Sequence, residues 1–249
     1  MKKAIVGTLA ILLSACGGGG GDNNNSAPPA ASAAQGVWGG TTSAKESFAL
    51  AILDSGAYYA FYGPPNSATG IAGVIIGAGT SQNGSFSSSN AKNFNFSART
   101  VTTASVSATY SAKNTLNGTV VVAAGSETFT SSYGSVNGQT ASLATIAGTF
   151  TGQDADSAGV ENASFTVSAS GALVGSGSSG CSSSGTVAPH GTQGGIFDVS
   201  LTFPASASCA FPGQTLHGVA IYNQTTNALL AVLPNSGQTD GVLFAGSKN

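Results

Sequence analysis

Short alternating runs, cut at near-regular intervals by Gly, Asn and Ser, fill the chain from Gln35 to its end, and no stretch repeats apolar residues at helical spacing. A β-strand turns successive side chains to opposite faces, so period-two runs with turn residues between them read as antiparallel strands. Phe48, Leu50 and Ile52 alternate with Ala49 and Ala51 before Asp54-Ser55-Gly56 turns the chain into 57–62, a hairpin signal. Further runs fall at 70–77, 84–88, 93–98, 104–110, 116–123 and 127–133. The second half adds 143–151, 163–169, 172–175, 181–187, 196–203, 215–222, 229–233 and 241–246. About sixteen strands at this spacing predict an all-β fold, an antiparallel barrel or sandwich, with two β lobes as a candidate arrangement.

Composition points the same way. Only 6% of the 249 residues are charged and 36 are glycine. Ser, Thr, Ala and Val fill much of the rest, whereas long helices draw on Glu, Lys, Leu and Arg. Beyond Lys2 and Lys3, the cations are Lys45, Lys92, Arg99, Lys113 and Lys248. Cations this sparse and scattered cannot track a phosphate backbone, so nucleic acid is excluded as a partner.

The start of the chain specifies export. Met1-Lys2-Lys3 is positive, 4–13 is apolar, and Leu13-Ser14-Ala15-Cys16 ends the run in small residues before a cysteine. That order is a secretory signal peptide. As a helix, 4–13 would span about 15 Å, half of a ~30 Å hydrocarbon core, too short for a permanent span. Leu-Ser-Ala-Cys resembles the lipobox of bacterial lipoproteins. The resemblance implies cleavage before Cys16, a diacylglyceryl group on its thiol and acylation of its new amine. Each buried acyl CH₂ contributes roughly 0.8 kcal/mol, so two or three chains hold firmly where one is marginal. Removing Lys2 and Lys3 takes the formal charge from −2 to −4. In that family an aspartate after the cysteine retains the protein in the inner membrane. Gly17 stands there, so the resemblance implies the cell outer membrane, on its periplasmic or surface face.

The glycines of 17–21, the Asn-rich 22–26 and Ala27-Pro28-Pro29 read as a flexible tether, with a reach on the order of 25 Å. The expected organisation is a signal peptide over 1–15, lipidated Cys16 and tether over 16–34, and lobes over 35–140 and 141–249. Gly36-Val37-Trp38-Gly39-Gly40-Thr41 and Ile146-Ala147-Gly148-Thr149-Phe150-Thr151 open the two halves with a similar pattern. The ending Gly241-Val242-Leu243-Phe244-Ala245-Gly246 resembles the closing strand of barrels in surface lipoproteins of the transferrin-binding and factor-H-binding types. That likeness is architectural and carries no ligand-contact residue across.

Cys181 and Cys209 remain after Cys16, an even count in an exported chain, which predicts a disulfide. Closing the 28-residue separation gives roughly 3–4 kcal/mol by chain entropy. No His or Cys lies at zinc-finger spacing from them.

Catalytic and metal motifs fail one by one. A glycosidase needs two carboxylates facing across a cleft, and nothing selects a pair among Glu46, Asp54, Glu127, Asp154, Asp156, Glu161, Asp198 and Asp240. Asp154-Ala155-Asp156-Ser157-Ala158-Gly159 begins like a calcium loop but has Ala158 at position five and Phe165 at twelve. His190 and His217 are too few for a zinc site, and no Gly-x-Ser-x-Gly elbow occurs. An exported hydrolase would instead need one of them within ~3 Å of a serine hydroxyl or carboxylate in a cleft. The Gly-rich stretches lack the Lys-Ser/Thr and helix of a phosphate loop. No metal or cofactor is implied.

Tyr58, Tyr59, Phe61 and Tyr62 form the one dense aromatic cluster, with Tyr59 and Phe61 on one strand face and Tyr58 and Tyr62 on the other. One pair then lies outward or in a lumen, unless both faces are covered. Such residues are a candidate platform for a protein or glycan ligand. The sequence thus points to a lipid-anchored outer-membrane protein that is not an enzyme and acts as a binding or structural module. The alternatives are an exported hydrolase and an integral outer-membrane β-barrel, which needs strands of roughly ten residues with an outward apolar band.

Overall fold

A computed structural model describes residues 33–67 and 70–249. The expected signal peptide, Cys16 and the expected tether up to residue 32 lie outside the described residues. The first half carries β1 (Gly36–Thr42), β2 (Ser47–Ile52), β3 (Ala57–Tyr62), β4 (Gly73–Ala78), β5 (Thr80–Gln82), β6 (Ser85–Asn95), β7 (Thr100–Ser111), β8 (Thr115–Val122) and β9 (Gly125–Tyr133). All pairings are antiparallel. The order β4-β3-β2-β1-β9-β8-β7-β6 closes through β4 on β6, while the short β5 lies along the other end of β6. Eight strands therefore make a ring. The second half is a closed up-and-down barrel of β10 (Gly148–Ala155), β11 (Val160–Val167), β12 (Ala172–Gly177), β13 (Ser182–Pro189), β14 (Ile196–Thr202), β15 (Thr215–Asn223), β16 (Ala228–Pro234) and β17 (Gly241–Lys248). The closing strand, β17, pairs with β10 from Phe150↔Lys248 to Ala155↔Leu243. The chain is all-β in two lobes, and both lobes are barrels.

The hairpin at 54–56 forms as read, with Gly56 at φ +84°, a left-handed conformation that costs glycine little. Two strand readings need correction. The runs 84–88 and 93–98 are one strand, β6, whose register against β7 shifts between Ser88 and Ala91. That irregularity carries the ladder across Ser-Ser-Asn, which looks like a turn when only local composition is seen. The run 143–151 is split: α1 (Leu143–Ile146) precedes β10. Ser142 caps this single turn by accepting from the Thr145 amide at 3.2 Å. One helical turn is too short to show a period.

Three apolar clusters hold the molecule together. One fills the second barrel, with Phe150, Phe197, Leu201, Leu216 and Phe244 at its centre. One lies inside the first barrel around Trp38, Leu50, Ile52, Phe86 and Leu116. The third lies outside both. Val37, Ala51, Phe61, Val74, Ile76 and Phe94 on the outer face of the first barrel meet Ile196, Val219, Ile221, Val232 and Leu243 on the outer face of the second. Strands in this seam are covered on both faces and read as near-continuous apolar runs, as in Val74-Ile75-Ile76 and Ala231-Val232-Leu233. Away from the seam the outer faces are polar. Val121, Val160 and Val174 are the large apolar side chains exposed among the described residues, which is no membrane-facing band. No helix among them is long and apolar enough to cross a membrane.

Polar contacts lock the seam. The Gln193 side-chain amide donates to the Ile52 carbonyl at 3.0 Å and its oxygen accepts from the Asp54 amide at 3.2 Å. The segment between the barrels adds Asn137, whose side chain pairs with both the amide and the carbonyl of Val37 at 2.7 Å.

Candidate functional site

An eight-stranded barrel is just wide enough either to be filled by its own side chains or to hold one small ligand. The two barrels take opposite choices. Inward Phe165, Phe244, Leu201 and Val187 leave about 30 Å³ free in the second barrel. In the first, Ala60 and Ala124 alternate with larger groups, and a cavity of about 230 Å³ remains. Phe48, Leu50, Ile75, Phe86, Val106, Leu116 and Phe129 make its wall. The lumen is plugged at the Gly36 end by Trp38, which is fully buried, donates from Nε1 to the Ala34 carbonyl at 3.0 Å and meets the Tyr133 ring edge-on at 5.0 Å.

The other end is polar. Thr42 closes β1 there, and Glu46, Glu127, Asn93 and Asn95 join it around the cavity. Glu46 holds the inward parity of Phe48 and Leu50 one step beyond β2, and Glu127 holds the parity of Phe129 on β9. The Thr42 hydroxyl donates to Glu46 Oε2 at 3.5 Å. Burial, then the field of Glu127, pushes the Glu46 carboxyl above its ordinary value. Glu127 Oε2 is buried with no hydrogen-bond partner among the described residues. Neither glutamate has a lysine or arginine within ion-pairing distance among them. An apolar pocket with two uncompensated carboxylates at its rim is chemically specific: it accepts an apolar body and attracts positive charge.

The structure divides the four clustered aromatics between two places. Tyr58 and Tyr62 line the lumen, while Tyr59 and Phe61 pack into the seam. Tyr62 donates to Asn93 Oδ1 at 2.8 Å, and Tyr58 to the Ser88 hydroxyl at 3.1 Å. Burial raises both phenols above their ordinary value, and Glu46 raises Tyr62 further, so both remain protonated donors. One pair therefore lies in a lumen, one of the placements the sequence allowed, and the other is covered by the second barrel. The rim glutamates and asparagines were hidden among solvated-looking polar residues. Their shared parity with the apolar wall is the signal that finds them.

His190 sits between the barrels. Its Nδ1 lies 2.8 Å from Asp198 Oδ1, and its Nε2 faces Asp54 Oδ1 at 3.5 Å. Nδ1 thus lies within the distance a hydrolase histidine needs from a carboxylate, but Nε2, buried without a hydrogen-bond partner, meets no serine hydroxyl among the described residues. His217 stands across the ladder from Ser200, and both line a cleft of about 330 Å³ with Asp198 and Tyr59. No hydrogen bond joins His217 to Ser200 or Asp198 among the described residues.

The calcium-like loop spends its oxygens internally. Asp156 Oδ1 accepts from the Ala158 and Gly159 amides at 2.7 and 3.1 Å, and Glu161 takes the hydroxyls of Ser178 and Ser179. Among the described residues no cluster of three His, Cys, Asp or Glu is placed to hold a metal. Asp154 is pushed up to about 7, first by burial and then by Glu161 and Asp156. A carboxyl raised on folding adds stability fully below its unfolded value, near pH 4, and loses it as pH rises through about 7. Asp154→Asn is therefore expected to stabilise the protein at pH 8 by about 1–2 kcal/mol after solvent screening, and to leave it unchanged near pH 4. Urea unfolding at both pH values checks this; an equal effect at each would contradict it.

Cys181 and Cys209 are bonded, with their Cα atoms 4.8 Å apart. No protein-family model matches the chain, and no curated protein matches it. Among solved structures, a tryptophan-to-alanine mutant of the vaccine antigen transferrin-binding protein B from Haemophilus parasuis aligns with 83% of this chain and 67% of its own. The identity is 6% and the TM-score 0.29, a likeness from which no residue is transferred.

Proposed function

We propose that this chain is a lipid-anchored, non-catalytic binding protein of the outer membrane, and that its ligand enters the first barrel. The observation that carries the binding reading is the contrast between two barrels of equal strand number, one packed solid and one hollow. An unfilled apolar volume forfeits dispersion contacts and weakens the fold, so retaining it has a reason outside stability. Orientation agrees: the chain enters the first barrel at Gly36, the plugged end, and the rim of Glu46 and Glu127 lies at the opposite end. A tether running from Cys16 would leave that mouth facing away from the lipid. Because the clustered tyrosines face inward or into the seam, a ligand small enough to enter is favoured over a protein or glycan laid across them.

Anchoring is tested by the intact mass of the natural protein, expected to begin at Cys16 and to carry acyl chains. A bare residue 16 would remove the anchor. Binding is tested on detergent-free protein with the neutral fluorophore naphthalene, whose about ten non-hydrogen atoms match a lumen of about 230 Å³. Saturable one-to-one binding is expected, with at least ~10-fold loss in Ala60→Phe, whose added ring occupies the lumen. Equal binding by both proteins would place the probe elsewhere and refute the lumen.

A further inference from the structure

The polar rim of the cavity specifies more than an apolar guest. Glu46 and Glu127 both border the volume, and no lysine or arginine neutralises them among the described residues. One oxygen of Glu127 is withdrawn from solvent without a donor among the described residues. Buried acceptors without donors are costly, and a ligand bringing N–H groups or positive charge relieves that cost. The remaining polar neighbours are partly engaged, since Tyr62 already donates to Asn93. A cavity of ~150 Å³ holds benzene, so about 230 Å³ takes an apolar body of roughly eight to ten non-hydrogen atoms.

We propose that the first barrel binds a cationic amphiphile, an alkyl- or arylalkyl-ammonium of about that size. Its apolar body sits between Phe48, Phe86 and Phe129, and its nitrogen lies at Glu46 and Glu127. This rests on the lumen being a ligand site and adds the charge of the occupant. The like charge of the two glutamates, which already raises the Glu46 carboxyl, is what the ammonium would relieve. The carboxylates act as a filter: an alcohol of the same tail loses the charged contacts, and a carboxylate is repelled.

The test uses the full chain, released from a neutral sugar-headed detergent and observed by native mass spectrometry, with octylammonium, octanol and octanoate offered in turn. Octylammonium is expected to bind one per chain, about 10-fold or more tighter than octanol, with octanoate weakest. In the Glu46→Gln/Glu127→Gln variant, octanol binding should persist while the preference for the amine falls below about 3-fold. Equal binding of amine and alcohol by the natural chain, or a preference for octanoate, overturns the cationic ligand and leaves the lumen standing. Binding of none of the three, with the fold intact by circular dichroism, overturns both. An amine preference that survives in the double variant also overturns the role given to the glutamates.

Discussion

Phe61→Ala is expected to lower the unfolding free energy by about 3–5 kcal/mol, the range for deleting a fully buried phenyl group. Phe61 lies on the outer face of β3 and is 0% exposed because the second barrel covers it. An outward residue of a free-standing barrel would face water, and its loss would matter little. The size of the effect therefore measures the seam between the barrels. Denaturant unfolding followed by circular dichroism and by Trp38 fluorescence reads it twice, since the sole tryptophan reports the first barrel. The natural chain should unfold with both probes coincident, and the variant at a lower midpoint. A change below about 1 kcal/mol would mean that the barrels are not packed through Phe61.

Removing the disulfide should be nearly as damaging. Cys209 lies in the excursion between β14 and β15, whose neck is closed by the Phe203 amide donating to the Gln214 carbonyl at 2.9 Å. Cys181 enters β13, so the bond ties that excursion across the end of the second barrel. The buried Phe203 and Phe211 sit together there, ring centres 5.8 Å apart. Cys181→Ala/Cys209→Ala is expected to cost roughly 3–4 kcal/mol by loop entropy, a drop in Tm of around 10 °C for a chain this long. Calorimetry of the two proteins in parallel checks it. A shift under about 3 °C would mean that Phe203 and Phe211 hold the excursion without the bond.

Much of the fold was legible because its signals are local. Alternation over five or six residues, Asp54-Ser55-Gly56, and Asn or Gly between runs report backbone conformation directly. The even pair of cysteines left after Cys16 implied their own bond, Cys181 to Cys209. Where local composition misled, at 84–98 and 143–146, the strand passed through an irregular polar stretch or the helix was a single turn.

Strand content and turns were thus written in neighbouring residues, since a period of two needs no distant partner to be seen. The hollow of the first barrel, the rim of Glu46 and Glu127, and the burial of Phe61 were not. They depend on β4 closing onto β6 and on two outer faces meeting, contacts between segments far apart in the chain. Parity says which residues share a face; only packing in three dimensions says whether that face looks into a core, a cavity or another barrel.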